Sequence, residues 1–467
     1  MLQTLKVGAA KRCISPTADM LPIPNMVGQF EAIREGEDLM VRAIVVDNGE
    51  RLFLFEGWEL SGVPCDQRIR KLLEEKFDIH QENMFLSGNH NHSSPFVNDH
   101  SIPTASDHDD RVNSEIQAHV DQFTELVVAQ SVAVVEDALK TMRPAKYGYG
   151  EGKSFINVNR DQLFDEGFET PYWMQGSNYE GCSDKTLSVL KFVDENDKLI
   201  AAVLNYAMHS TTSFCTLDTD GKMKVTCDAP GIASKFVEAF YDDEPIVLWQ
   251  SGAAGNQNPT YVGIKALYDK QGFMRERRRI PGAAYEQAVV LGQQHGMDAI
   301  RILRATPANR AKMRITTVDR LIDFPTQIFP EGIDRGAHRI MVDNLQEWAG
   351  TLGENDPLPP KKLAEMIPSK ELAPMKAQLI LLGDVLYYGM GCELYNEIAM
   401  LCKQASPFKH TVITTHIGTP SVGYVLDDDS VTHRVFQSFG LVPAGCNNGI
   451  VVNSMLSMID TLLEQES

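Results

Sequence analysis

The 467-residue chain has no run of about 18 apolar residues, which excludes a membrane-spanning helix. Its N-terminus, MLQTLKVGAAKRCISP, lacks the long apolar stretch of a secretory signal, and Val7-Gly8-Ala9-Ala10 reads as a first strand. Eight cysteines are scattered with no CxxC pair, so neither a zinc ribbon nor a thioredoxin motif is indicated. With no export signal, reduced thiols and a cytoplasmic location are the expectation. Basic residues are outnumbered: 43 Lys and Arg against 63 Asp and Glu give a net charge of −20. The footprint that nucleic acid or an anionic membrane would need is therefore missing. Low-complexity tracts, internal repeats and convincing linkers are also missing. No regular βα alternation runs along the chain, which argues against a (β/α)8 barrel.

What is present is an ordinary globular composition, 43% hydrophobic, with helical and strand periods intermixed. VRAIVVDNGERLFLFEGWEL reads as a hairpin turning at Asp47-Asn48-Gly49. Asp66–Phe77 is helical, and ENMFLSG is a strand. Residues 113–142 carry Ile116, Val120, Phe123, Val127, Val134 and Ala138 on one helical stripe, with Ser114 and Gln117 resembling a capping box. Two strands flank Glu195-Asn196-Asp197, and the apolar run Leu199–Ala207 fits a strand buried on both faces. PGIASKFVEAF and YEQAVVLGQQHGMDAIRIL read as helices; IVLWQSG, RAKMRITTVDRLIDF and HTVITTHIG read as strands. Residues 341–372 read as polar and helical, and MKAQLILLGDVLYYGMGCE as a hairpin turning at Gly383-Asp384. The expected fold is α+β: a single large layered domain over residues 1–467, with mixed β-sheets flanked by helices.

The chemistry starts at SGNHNHSSP. His90 and His92, two apart in an extended segment, point to the same side. Such a pair can aim two imidazoles at one metal, although HxH alone equally describes two histidines in a polar loop. His209 ends the buried strand, where a polar group must find a partner. Glu393, in GMGCELYNEIA, follows a strand through glycines that allow close approach. It is either a helix N-terminal charge or a hard-oxygen ligand. SGAAGNQNP offers backbone N–H groups for an anion nest. Arg160 follows the strand-like run FINVN and suits an oxyanion or carboxylate.

Taken in order, these segments resemble the neutral/alkaline non-lysosomal ceramidase family, in its large N-terminal catalytic domain. LKVGAAKRCISP is similar to the family's opening strand, NHNHSSP to its T-H-T-H-S-G-P, and INVNR to its N-I-N-R. NYAMHSTTS resembles F-A-V-H-G-T-S, GMGCELYNEIA resembles G-x-P-G-E-x-T-x-x-A, and GYV around Tyr424 falls at a family tyrosine. The resemblance implies one zinc ion held by His90, His209, Glu393 and Tyr424. It places His92 and Arg160 against the substrate or the zinc-held water. Departures accompany it. Where the family has G-D-x-S-P, this chain has Gly255-Asn256-Gln257-Asn258-Pro259, so Asn258 stands at the serine thought essential for amide cleavage. Asparagine cannot be a nucleophile, but it can donate to an oxyanion. A second family tyrosine is replaced around Val435 and Phe436. The family's C-terminal immunoglobulin-like domain is not expected here.

The expectation is a zinc hydrolase of an amide or related acyl bond, with Zn as cofactor and His92, Arg160 and Asn258 polarising the substrate carbonyl. Its substrate would be a small-molecule or lipid-like amide, with ceramide itself disfavoured by Asn258. A ligand-binding or regulatory protein that keeps the fold without turnover is the alternative from another class. An amidohydrolase-type enzyme is a third, and it would require the barrel that the strand pattern does not support.

Overall fold

The computed structural model describes residues 3–25, 28–97, 114–164, 172–214, 216–261, 264–268, 274–331, 366–433 and 435–466. Three sheets dominate them, and each is built the same way. In the first, strands Lys6–Cys13, Met40–Asp47 and Leu52–Trp58 form an antiparallel meander. Helix Asp66–Phe77 then crosses over to strand Met84–Gly88, which pairs parallel to the third strand. Helix Ser114–Lys140 packs back over the first two strands.

The second sheet repeats this sequence of events. Its meander is Lys146–Lys153, Thr186–Val193 and Leu199–Tyr206. Helix Asp228–Phe240 leads to the parallel strand Ile246–Ser251, and helix Ala283–Ala305 covers the first two strands. In the third sheet the meander is Ile315–Ile328, Ile367–Leu382 and Val385–Met390. Helix Asn396–Ala405, parallel strand His410–Thr415 and helix Asn447–Glu466 complete it. Parallel pairing needs a crossover of a dozen or more residues, and a helix supplies it each time.

This threefold β-β-β-α-β-α repeat is absent from the sequence as a motif, which corrects the expectation of no internal repeat. It exists because each sheet has the same two burial tasks. Alternate residues of a strand face opposite ways. Leu54 and Trp58 face the helices of their own unit, while Phe53 and Phe55 enter a core shared by all three sheets. Likewise Ala202, Leu204 and Tyr206 face helices while Ala201 and Val203 face the shared core. Leu386, Tyr388 and Met390 divide from Val385 and Tyr387 in the same manner. Strands buried on both faces read as unbroken apolar runs, as Leu199–Tyr206 does.

Two further expectations change. Residues 341–365 of the predicted polar helix, like the side chain of Ser114 in the predicted cap, lie outside the described residues. Residues 367–372 are strand, paired through Pro325↔Leu372 and Gln327↔Pro368. Pro368 and Pro374 each lack the N–H that a helix interior would use. Arg160 lies within strand Asn157–Phe164 rather than after it. That strand pairs with Gln257–Pro259, which sets Val158 opposite Asn258. Among the described residues no helix is long and apolar enough to cross a membrane.

Candidate metal centre

The third strands of the three units end at Trp58, Tyr206 and Met390. Three residues beyond each end stand Ser61, His209 and Glu393, and these loops converge at one end of the shared core. The fourth strands end at Gly88, Ser251 and Thr415, delivering His90 from the first unit and His416 from the third. Both of these histidines adopt left-handed backbone, with φ of 60° and 57°. That conformation is uncommon for a residue with a Cβ and persists where the surroundings over-determine it. Their rings stack with centroids 3.9 Å apart and planes 15° apart. A bridge between Asn91 and Ser210, with His92 N–H donating to Ser210 O at 3.0 Å, lays the two histidine loops side by side.

His90 Nδ1 is 3.0 Å from Ser61 O, and His209 Nδ1 lies close to Ala254 O at 2.5 Å. A carbonyl oxygen only accepts, so both Nδ1 atoms carry a proton and both Nε2 atoms turn into the cluster. These Nε2 atoms lie 3.2 Å (His90) and 3.1 Å (His209) from Glu393 Oε2. Burial, then Arg160 and His90, lower His209 to about 3, so its ring is neutral. Burial opposes charge on Glu393, yet His90 and His209 outweigh it and hold the carboxyl well below the usual range. The neutral His209 ring, its Nδ1 proton held by Ala254 O, therefore turns a lone pair toward the Glu393 carboxylate. A cation resolves that conflict, and ligands around a tetrahedral zinc at about 2.0–2.1 Å would lie roughly 3.3 Å apart. The donor set fits a metal ion.

His92 Nε2 is 3.0 Å from His90 Nε2, and the ring nitrogens of His90, His92 and His209 lie within 4.8 Å of one another. These three histidines could hold a metal ion by themselves. His92 differs from the other two in one respect: its Nδ1 is buried with no hydrogen-bond partner, so no carbonyl fixes its tautomer. Burial first, then His90 and His209, push His92 well below the usual histidine range. Its edge meets the ring of Phe214 at 5.1 Å.

Tyr424 pairs with Glu393 in a two-residue parallel ladder. Burial, followed by the Glu393 carboxylate, raises the phenol well above its ordinary value, and the phenol hydrogen-bonds Glu393. Arg160 Nη2 donates to Tyr424 Oη at 3.0 Å and to Gly255 O at 2.6 Å. Arg160 Nη1 reaches Asn258 Oδ1 at 3.4 Å. Every predicted site residue is thus drawn into one cluster. Residues that the sequence did not single out also belong to it: His416 against His90, Phe436 against Tyr424 at 5.4 Å, and Gln437 beside Arg160. His416 carried the same signal as His209, a histidine at the end of a buried strand, and was legible on that ground. Asn256, next to the site, donates to Glu397 at 2.7 Å.

The neutral/alkaline non-lysosomal ceramidase N-terminal family matches residues 37–258. The whole chain also superposes on solved neutral ceramidases. The chain has the ceramidase fold. Against neutral ceramidase from Pseudomonas aeruginosa the TM-score is 0.69 at 17% identity, covering 100% of this chain and 75% of that one. Against a ceramidase complexed with C2 the TM-score is 0.65 at 16% identity, covering 100% and 76%. No curated protein matches by sequence. The family match contains His90, His92, Arg160, His209 and Asn258; Glu393 and Tyr424 lie beyond it.

Proposed function

We propose that this chain is a zinc-dependent hydrolase of an amide or related acyl bond. The observation that carries the reading is the meeting of two carbonyl-bound imidazoles and a carboxylate, Nε2 to Oε2, within 3.2 Å. His90, His209, Glu393 and Tyr424 are assigned as ligands. Carbonyl-fixed Nδ1 protons orient ligand imidazoles and raise their basicity, and this favours His90 and His209 over His92. Zinc, when bound, would lower the pKa of its water toward neutrality and polarise a carbonyl oxygen.

The chain's own residues take the remaining tasks. His92, neutral and with Nδ1 unpartnered in a buried position, is set to hydrogen-bond a substrate atom. Asn258 follows the glycine turn and borders Arg160, so its amide can donate to a developing oxyanion. As in the ceramidases, the substrate class would be an amide, small or lipid-like. Ceramide itself is disfavoured, because Asn258 supplies no hydroxyl. The seven cysteines described are all free thiols, which suits a reducing compartment such as the cytoplasm. Asn258 also motivates the second reading, a ligand-binding protein that keeps the fold without turnover.

Metal analysis of the purified protein and of His209→Ala tests the first reading. Zinc near one equivalent, lost in the variant, is expected; unchanged metal content in the variant sinks the site. Turnover of any amide or ester in a broad panel, abolished by chelator and restored by zinc, rules out the second.

A further inference from the structure

We propose that Arg160 acts as a positioning residue for the Tyr424 hydroxyl and does not itself contact substrate; this rests on the reading of Tyr424 as a metal ligand. The guanidinium is fully engaged on one side. Nη2 donates to Gly255 O at 2.6 Å and to Tyr424 Oη at 3.0 Å. The side-chain amide of Gln437, with its oxygen toward the guanidinium, accepts from Nε at 3.0 Å and Nη2 at 3.2 Å. The opposite orientation would set donors against donors. Only Nη1 is left over, and it reaches Asn258 Oδ1 at 3.4 Å, a weak bond. The rings of Tyr424 and Phe436 lie 5.5 and 5.2 Å from the guanidinium carbon and enclose it. The backbone is pinned too, since Arg160 N–H donates to Asn256 O at 2.8 Å. Arg160 is 3% exposed, so little of it faces any ligand.

This arrangement fixes the phenol oxygen. Arg160 occupies one acceptor position of Tyr424 Oη, so the hydroxyl proton turns to Glu393, its hydrogen-bonding partner. A planar fork reaching both Gly255 O and Tyr424 Oη ties the glycine turn to the Tyr424 ladder. A lysine ammonium, a point donor on a flexible stem, cannot reproduce that span.

The test is spectroscopic. Metal-stripped protein is loaded with one equivalent of Cu2+, and the phenolate-to-copper charge-transfer band is recorded for the parent, Tyr424→Phe, Arg160→Leu, Arg160→Lys and Gln437→Leu. Circular dichroism confirms that each variant is folded. The expected result is a band that vanishes in Tyr424→Phe, falls at least twofold in Arg160→Leu, and falls by a smaller factor in Arg160→Lys and Gln437→Leu. Should Arg160→Leu not fold, Arg160→Lys and Gln437→Leu decide. A Tyr424-dependent band of unchanged intensity and energy in the Arg160 and Gln437 variants overturns the positioning role and leaves the ligand assignment standing. A parent protein without any Tyr424-dependent band overturns the ligand assignment, and the positioning role with it.

Discussion

Glu393→Gln separates a metal site from an ordinary His–Glu ion pair, because the two readings predict opposite behaviour without metal. Glu393 Oε2 lies 3.2 Å from His90 Nε2 and 3.1 Å from His209 Nε2, and the neutral His209 ring carries a lone pair there. An amide can turn an N–H toward it, converting a conflict into a hydrogen bond. The metal-free variant should therefore melt no lower than the metal-free parent. With zinc the order reverses. A ligand at a thousandfold excess over its Kd stabilises the folded state by about 4 kcal/mol. Unfolding entropy is about 2.1 cal/mol/K per residue, so for 467 residues that energy raises the melting temperature by roughly 4 °C. The parent should show this shift, and the variant should lose most of it, since a neutral amide is a poor zinc ligand. Scanning calorimetry of chelator-treated protein, with and without zinc, makes the comparison. Under the ion-pair reading the metal-free variant would lose about 1.5–3 kcal/mol, the worth of a charged hydrogen bond, and zinc would shift both proteins alike. That pattern would refute the metal site.

Other outcomes follow from the same structure. A Cβ at Gly255 would stand 2.6 Å from Glu393 O, so Gly255→Ala should displace the ligand backbone and weaken zinc binding about 10–100-fold in a chelator competition. Glu397 is raised to about 7, chiefly by burial, so the folded protein takes up a proton there that the unfolded chain does not. Stability from this group is present below about pH 4.5 and is lost as pH rises through 7; Glu397→Gln should accordingly be more stable relative to the parent at pH 8 than at pH 5 in urea melts. Arg42 is buried with Glu59 and Glu238, and Arg42→Met should cost about 3–5 kcal/mol in denaturant unfolding, because it leaves Glu59 without its cation and Glu238 with Lys11 alone. Adding Glu238→Gln to that variant should return part of the loss.

Strands and helices were legible where burial is one-sided or complete. The apolar run at Leu199–Tyr206 and the helical stripe from Ile116 to Ala138 each have one periodic solution. Residues 367–372 carry no period because apolar and polar side chains alike are largely exposed on an extended arm of the hairpin; the ladder to Ile315–Ile328 decides their state. The site residues are legible by type, whereas the contacts of Arg160 are not. Its partners Gly255, Tyr424 and Gln437 lie 95 or more positions away, and nothing local shows that Nε and Nη2 are engaged by them. His416 shows only the local signal of a histidine closing the strand HTVITT, and its stacking on His90 alone places it at the site.

The repeat explains why ligands so far apart in sequence meet. Three equivalent sheets deliver three equivalent loop positions to one point, and those positions hold Ser61, His209 and Glu393. Equal residues there would give an equal environment, whereas the chain places three chemically different ones. In the second and third units the position itself supplies the side chain facing the centre. In the first, Ser61 supplies only its carbonyl, which locks His90 from the adjoining fourth-strand loop. His416, at the matching fourth-strand end of the third unit, lays its ring flat against His90. A sequence repeat would have to keep these positions alike, and a single asymmetric centre requires them to differ. Divergence at the loops is therefore the expected cost of building one site from three copies of a scaffold, while the alternating burial of each sheet is free to persist without any shared motif.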